Sequence, residues 1–168
     1  MSASQVAIIM GSDSDLEIMN EAAKALEEFG IPYDIDVSSA HRSPAKTSEF
    51  SRTAQQRGLK VIIAGAGGAA HLAGVVAAET TLPVIAVPIA STPLNGLDSL
   101  LAMVQMPAGI PVATVAIGKA GATNAGILAA QIIGLSDPEV AKKLHAYKDK
   151  LAKGVEAKSK KLQESRKK

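Results

Sequence analysis

Three short clusters hold most of the chemistry this sequence offers. Ser38-Ser39-Ala40-His41-Arg42-Ser43-Pro44 brings an imidazole, a guanidinium and three hydroxyls together. Imidazole is the side chain best suited to take and return a proton near neutral pH. The planar fork of Arg42 suits a phosphate, and it stands out because only seven of the first 136 residues are basic. Gly11-Ser12-Asp13-Ser14-Asp15 supplies backbone amides, two hydroxyls and two carboxylates where a helix begins. Such a turn can hold a phosphate, although Asp13 and Asp15 oppose it unless one points away or accepts from sugar hydroxyls; simple capping of the helix by Ser14 and Asp13 explains the same residues equally well. In Gly65-Ala66-Gly67-Gly68-Ala69-Ala70-His71-Leu72 the glycines carry no Cβ, so backbone can approach a bound molecule. The plain alternatives are a tight strand-to-helix turn without ligand, and a His71 that is only a first-turn residue of the next helix.

The elements that must position these clusters alternate in type. Strands are expected at Val6 to Met10, Tyr33 to Val37, Val61 to Ala64, Val84 to Val87 and Val112 to Ile117, where β-branched apolar residues concentrate. The acids of the second place it near the sheet edge. Ser14-x-x-Glu17 has the spacing of a capping box, predicting a helix from there to Phe29 that stops at Gly30. Ser43-Pro44 opens a second helix ending at Gly58, and others are expected over 69–80, 97–104 and 121–134. Ser136-Asp137-Pro138-Glu139 starts the last, over about 137–163. Five strands each followed by a helix require crossovers, hence a parallel, doubly wound sheet with helices on both faces. The expected class is α/β, a flavodoxin-like three-layer sandwich with strand order 2-1-3-4-5 and an added C-terminal helix. In that order the three clusters share one end of the sheet, at its switch point.

Composition narrows the possibilities. A chain of 168 residues suits one domain, residues 1–168, with a core over about 6–135. With no cysteine it has no disulfides and no thiolate metal site, and Met1 to Gln5 does not resemble a signal peptide, so the cytoplasm is the expected compartment. Between Val61 and Gly118 only Glu79 and Asp98 are charged, but Pro107, Gly109 and Pro111 interrupt that stretch and argue against a membrane span. So much smooth apolar surface on a small chain suggests cover by other subunits. Residues 137–168 hold eleven basic and five acidic side chains, a net +6, against −4 for the first 136. Val140, Leu144, Tyr147 and Leu151 give that tail the spacing of an amphipathic helix with a solvated lysine face. Interleaved acids and the lack of stacking aromatics speak against nucleic acid.

Three functional classes compete. A dinucleotide oxidoreductase would use Gly65-x-Gly67-x-x-Ala70, but the match falls in the third βα unit and no ribose-binding acid follows about twenty residues on. A phosphoacceptor domain would use the acids after strand one, Ser91 and Thr92 after strand four, and Lys119 after strand five. It needs an aspartate at the end of strand three, where glycine stands. A cofactor-free enzyme acting on a phosphorylated small molecule, with a histidine for proton transfer and an uncharged glycine pocket, is consistent with all three clusters.

Five motifs in order, from Val6 to Leu135, carry a family resemblance. Met10-Gly11-Ser12-Asp13-Ser14-Asp15, Ser39-Ala40-His41-Arg42-Ser43-Pro44, Ile63 to Leu72, Gln105-Met106-Pro107-Ala108-Gly109-Ile110-Pro111-Val112 and Ala116-Ile117-Gly118 together resemble the class I N5-carboxyaminoimidazole ribonucleotide mutases of bacterial purine synthesis. The resemblance implies conversion of N5-carboxyaminoimidazole ribonucleotide to 4-carboxy-5-aminoimidazole ribonucleotide without metal or other cofactor, in a homo-octamer. It implies that Ser12, Asp15 and Arg42 bind the nucleotide, that Ser14 and Ser39 lie beside it, and that His41 is the catalytic acid and base. Ala40, Gly65, Ala66, Gly67, Gly68, His71 and Leu72 complete the expected substrate-binding set. Ala73 and Ala108 depart from the pattern, where many relatives have Pro and some have Arg respectively. A class II carboxylase using free carbon dioxide is the alternative.

Overall fold

The computed structural model describes residues 3–166. Its strands are β1 (Val6–Met10), β2 (Tyr33–Val37), β3 (Val61–Gly67), β4 (Val84–Ile89) and β5 (Ala113–Thr114). They form one parallel sheet in the order β2-β1-β3-β4-β5, as the crossover rule predicts. The helices are α1 (Leu16–Phe29), α2 (Pro44–Thr53), α3 (Leu72–Glu79), α4 (Leu97–Val104), α5 (Lys119–Gly134) and α6 (Pro138–Ser165). No helix among the described residues is long and apolar enough to cross a membrane.

Central strands are buried on both faces, so β1 is apolar at every position and at most 1% exposed. One face packs Ile8, Val61 and Ile63 against α1 and α5; the other packs Ile9, Ile62 and Ala64 against α3 and the end of α2. Small residues let α1 and α5 come very close. A Cβ on Gly126 would lie 2.6 Å from the Ala22 carbonyl oxygen and 2.7 Å from the Ala25 methyl, so backbone meets backbone there. Gly65 plays a similar part under α1, because any side chain on it would occupy the space of Met19.

Several boundaries differ from expectation for identifiable reasons. β3 continues through Gly65 and Gly67, and β4 through Pro88 to Ile89, because the two remain in register to their ends. Pro88 is tolerated because β5 has already ended at Thr114, leaving no ladder partner for the missing N–H. β5 is two residues long, not six; beyond it only single bonds tie the edge, from Val115 N to Ala86 O at 3.0 Å and from Gly118 N to Pro88 O at 2.9 Å. The Ser14–Glu17 capping box does not form. Ser12 caps a single 3₁₀ turn, Asp13–Asp15, and Glu17 instead accepts from Lys119 Nζ at 2.6 Å. α2 ends at Thr53; a turn then carries the chain to Gly58, whose φ of +90° suits glycine alone. α3 starts at Leu72, after the tight Gly68–Ala70 turn.

Asp137 caps α6 by accepting from the amides of Glu139 and Val140. Val140, Leu144 and Tyr147 dock the first turns of α6 onto the α1–α5 core, and from Lys148 to Arg166 every residue is exposed. On α4, Leu97, Leu101 and Val104 are about half exposed, at 53%, 49% and 50%.

Candidate active site

Strand register decides which loops meet. Met10 pairs with Val37 on one side and Gly65 on the other, so β1 and β2 end level and release Gly11 and Ser38 beside Ala66, where β3 runs on to Gly67. The ladder runs one step further, with Gly11 N bonded to Gly65 O at 3.1 Å and Ser38 N to Met10 O at 2.8 Å. β1 sends its crossover one way and β3 the other, which opens a cleft between the loops. That cleft is about 260 Å³ and is lined by residues from the ends of all four long strands. Its size suits a mononucleotide better than an extended dinucleotide.

Each wall has its own construction. In the first loop Ser12 Oγ accepts from Ser14 Oγ at 2.9 Å, and Asp13 accepts from the Ser14 amide at 3.0 Å. Asp15 is only 6% exposed, and burial pushes its carboxyl above the ordinary 3.8, a shift only partly offset by hydrogen bonds from Ser12 and Ser14. The second loop is braced from below. Ser38 Oγ and Thr47 Oγ1 pair at 2.8 Å in the buried interior, and Lys46 Nζ donates to Val37 O at 2.8 Å. Ser39 Oγ accepts from the Arg42 amide at 3.2 Å, while Ser39 O accepts from the Ser43 amide at 2.9 Å. The loop is therefore a hydrogen-bonded turn that presents His41 and Arg42 outward, both exposed. α1, with its leading 3₁₀ turn, and α2 begin at this rim, so amides and the positive ends of helix dipoles face the cleft.

The third wall comes from β3 and the turn after it. Ala66, Gly67, Ala69 and Leu72 line the cleft. Gly65 does not; it faces Met19 in the core. Gly68 is not among the lining residues, and its φ of +59° marks it as the residue that turns the chain. His71 also lies outside the lining, yet its Nδ1 sits 2.8 Å from His41 Nε2, with the two rings at 84°. Of the residues expected from sequence, Ser12, Ser14, Asp15, Ser39, Ala40, His41, Arg42, Ala66, Gly67 and Leu72 are thus brought together.

Gly11, Ala69 and Ser91 line the cleft without having been singled out as site residues. Ser91 arrives because β4 runs past Pro88. A Cβ on Gly67 would overlap the Ser91 side chain, so the missing side chain of one makes room for the other. The signal for Ser91 was its position after strand four, which the phosphoacceptor reading alone had used. The described residues contain no group of three His, Cys, Asp or Glu side chains placed to hold a metal ion.

Comparison with known proteins bears on this arrangement. The AIR carboxylase family model matches residues 5–154. A Pyrococcus horikoshii protein named N5-carboxyaminoimidazole ribonucleotide mutase is 58% identical over 159 residues, covering 95% of this chain and 89% of that one. A Bacillus subtilis protein of the same name is 61% identical over 139 residues, covering 83% and 86%. The crystal structure of Treponema denticola PurE superposes with a TM-score of 0.85 at 31% identity, covering 95% of this chain and 98% of that one. Strand order, the cleft at the switch point and these matches agree: the chain belongs to the AIR carboxylase family.

Proposed function

We propose that this chain converts N5-carboxyaminoimidazole ribonucleotide to 4-carboxy-5-aminoimidazole ribonucleotide, a mutase step of purine biosynthesis. The observation that carries it is the braced loop that sets His41 and Arg42 on the same rim as the uncharged Ala66–Gly67–Ala69 wall. Arg42, with the hydroxyls of Ser12, Ser14 and Ser39 and the amides of the helix starts, anchors the phosphate. Asp15 accepts from the ribose hydroxyls.

The chemistry follows from the surfaces that remain. The bond between the exocyclic nitrogen and the carboxylate breaks, releasing carbon dioxide, and protonated His41 gives its proton to that nitrogen. A water-poor pocket favours this loss, because a desolvated carboxylate is less stabilised. Carbon dioxide stays beside the ring against methyl and backbone groups, where no lysine or thiol is present to trap it. The ring carbon attacks it, forming the carbon–carbon bond, and neutral His41 takes the displaced ring proton. One imidazole thus ends each cycle as it began.

A carboxylase taking free carbon dioxide is disfavoured by the curated relatives, which at 56–61% identity carry the mutase name. Offering each substrate separately, with and without bicarbonate, distinguishes the two. Turnover of the N5-carboxylated nucleotide without bicarbonate is expected. His41→Asn should bind nucleotide almost normally and lose about 10²–10⁴-fold in turnover, the usual share of a general acid–base. Retained turnover would remove His41 from the mechanism.

The reading extends to a cofactor-free cytoplasmic enzyme assembled as a homo-octamer. The half-exposed Leu97, Leu101 and Val104 of α4 support self-association, because a contiguous apolar strip on a small chain calls for cover. Sedimentation at micromolar concentration checks the subunit number.

A further inference from the structure

Ser91 lines the cleft, and the reaction as set out above gives it no work. Strand order sets the direction of that cleft. The loops after β2 and β1 hold Arg42, Ser12 and Asp15, and the far side belongs to β3 and β4. The ends of β2 and β4 are three strand spacings apart, about 14 Å, so a mononucleotide can lie across them. A phosphate held at Arg42 therefore sends the base toward β4. Of the five lining residues drawn from β3, β4 and the turns after them, Ala66, Gly67, Ala69, Leu72 and Ser91, only Ser91 has a polar side chain.

The segment that carries this hydroxyl is held on either side of it. Ile89 O accepts from the buried Ser99 Oγ at 2.8 Å, and Thr92 Oγ1 donates to Asp98 at 2.7 Å while accepting from the Leu94 amide at 3.2 Å. Asp98 and Ser99 belong to the first turn of α4, so that helix fixes the backbone around Ser91. Ser91 Oγ itself is exposed and has no hydrogen-bond partner among the described residues. Gly67 pairs with Ile89, and Ser91, two residues further on, occupies the space that a Cβ on Gly67 would fill. Resting on the proposed mutase reaction, we infer that the Ser91 hydroxyl binds the migrating carboxylate. It donates to one carboxylate oxygen of the carboxylated nucleotides and holds the released carbon dioxide beside Gly67 until the ring carbon attacks.

A neutral hydroxyl suits this task better than a cation. A guanidinium at the same place would stabilise the bound carboxylate and oppose its loss, and an amine would itself combine with carbon dioxide. A single hydroxyl orients the group without holding the ground state too firmly. Ser91 keeps its own proton throughout; every bond that breaks or forms is the substrate's or that of His41.

The test compares two nucleotides that differ only in the carboxylate. Ser91→Ala should weaken binding of 4-carboxy-5-aminoimidazole ribonucleotide about ten- to a hundredfold, the worth of one hydrogen bond to a charged group, and leave binding of 5-aminoimidazole ribonucleotide unchanged. Given the N5-carboxylated nucleotide, the variant should also let carbon dioxide escape, releasing bare aminoimidazole ribonucleotide faster than the substrate decays in buffer. Because Ser91 bonds no other described side chain, the variant should melt with wild type. The inference is overturned if both nucleotides weaken alike, which would make Ser91 a general wall contact, or if the carboxylated one binds as before. A wild type that left the N5-carboxylated nucleotide unconverted would instead sink the mutase reading, while the two affinities could still be compared, so the two failures are distinguishable.

Discussion

The rim of the cleft and the seam between α1 and α5 share a helix but are built from opposite materials. The seam is Ala22, Ala25, Gly126 and their neighbours, small, buried residues that let backbone touch backbone. The rim is hydroxyls, a carboxylate, a guanidinium and an imidazole, largely exposed and held by hydrogen bonds. Stability is concentrated where nothing reacts, and the reacting groups stand on loops that contribute little burial. Damage to one should therefore leave the other measurable.

The largest break in that contrast is expected at the seam. Gly126→Leu forces α1 and α5 apart and should cost about 3 kcal/mol, the upper end of overpacking penalties. For a chain of this size that is a fall of ~2–4 °C in Tm for each kcal/mol, read by calorimetry, with KM unchanged in the fraction still folded. Next comes Arg42→Ala, which removes a charged fork from the phosphate end. It should lower kcat/KM about ten- to hundredfold without moving Tm, and a dephosphorylated substrate should erase the difference. Thr47→Val sits between the two regions. It leaves the buried Ser38 hydroxyl unpaired, costs about 1–2 kcal/mol, and should raise KM as well, because Ser38 anchors the loop that carries Arg42.

Asp15 gives the smallest and most pointed effect, since α1 begins beside it and then runs into the seam. Its carboxyl is raised by burial, so the folded state holds that proton more tightly than the unfolded state. The charge therefore subtracts from stability at neutral pH, and the deficit shrinks as pH falls through the raised value toward 3.8. Asp15→Asn should raise Tm slightly at pH 7, with a gain that fades on acidification, while weakening nucleotide binding. A loss of stability at neutral pH would show that the carboxylate holds the turn together.

Much of this was legible in the chain. Alternating strand and helix signals gave the strand order, and the order put the three loops together, because parallel crossovers leave few choices. What was not legible depended on register. Pro88 reads as a stop, and only the pairing of β3 with β4 shows the strand passing through it and bringing Ser91 to the cleft. Ser14 and Glu17 have cap spacing, but Ser12, two residues earlier, accepts from the Ser14 amide, and Lys119 from a distant helix takes the Glu17 carboxylate. Ser38 and Thr47 look like ordinary polar residues until their shared burial is seen. His41 and His71 are thirty residues apart, and nothing local announces their contact.

Gly65 and Gly67 stand two apart on one strand and point the same way, yet they answer to different masters: one yields to the thioether of Met19, the other to the hydroxyl of Ser91. A genetic screen scoring growth alone would report both as intolerant to change and invite a single explanation. Melting curves beside assays of surviving protein would split them, with alanine at 65 lowering the melting point and alanine at 67 reshaping the mouth of the pocket.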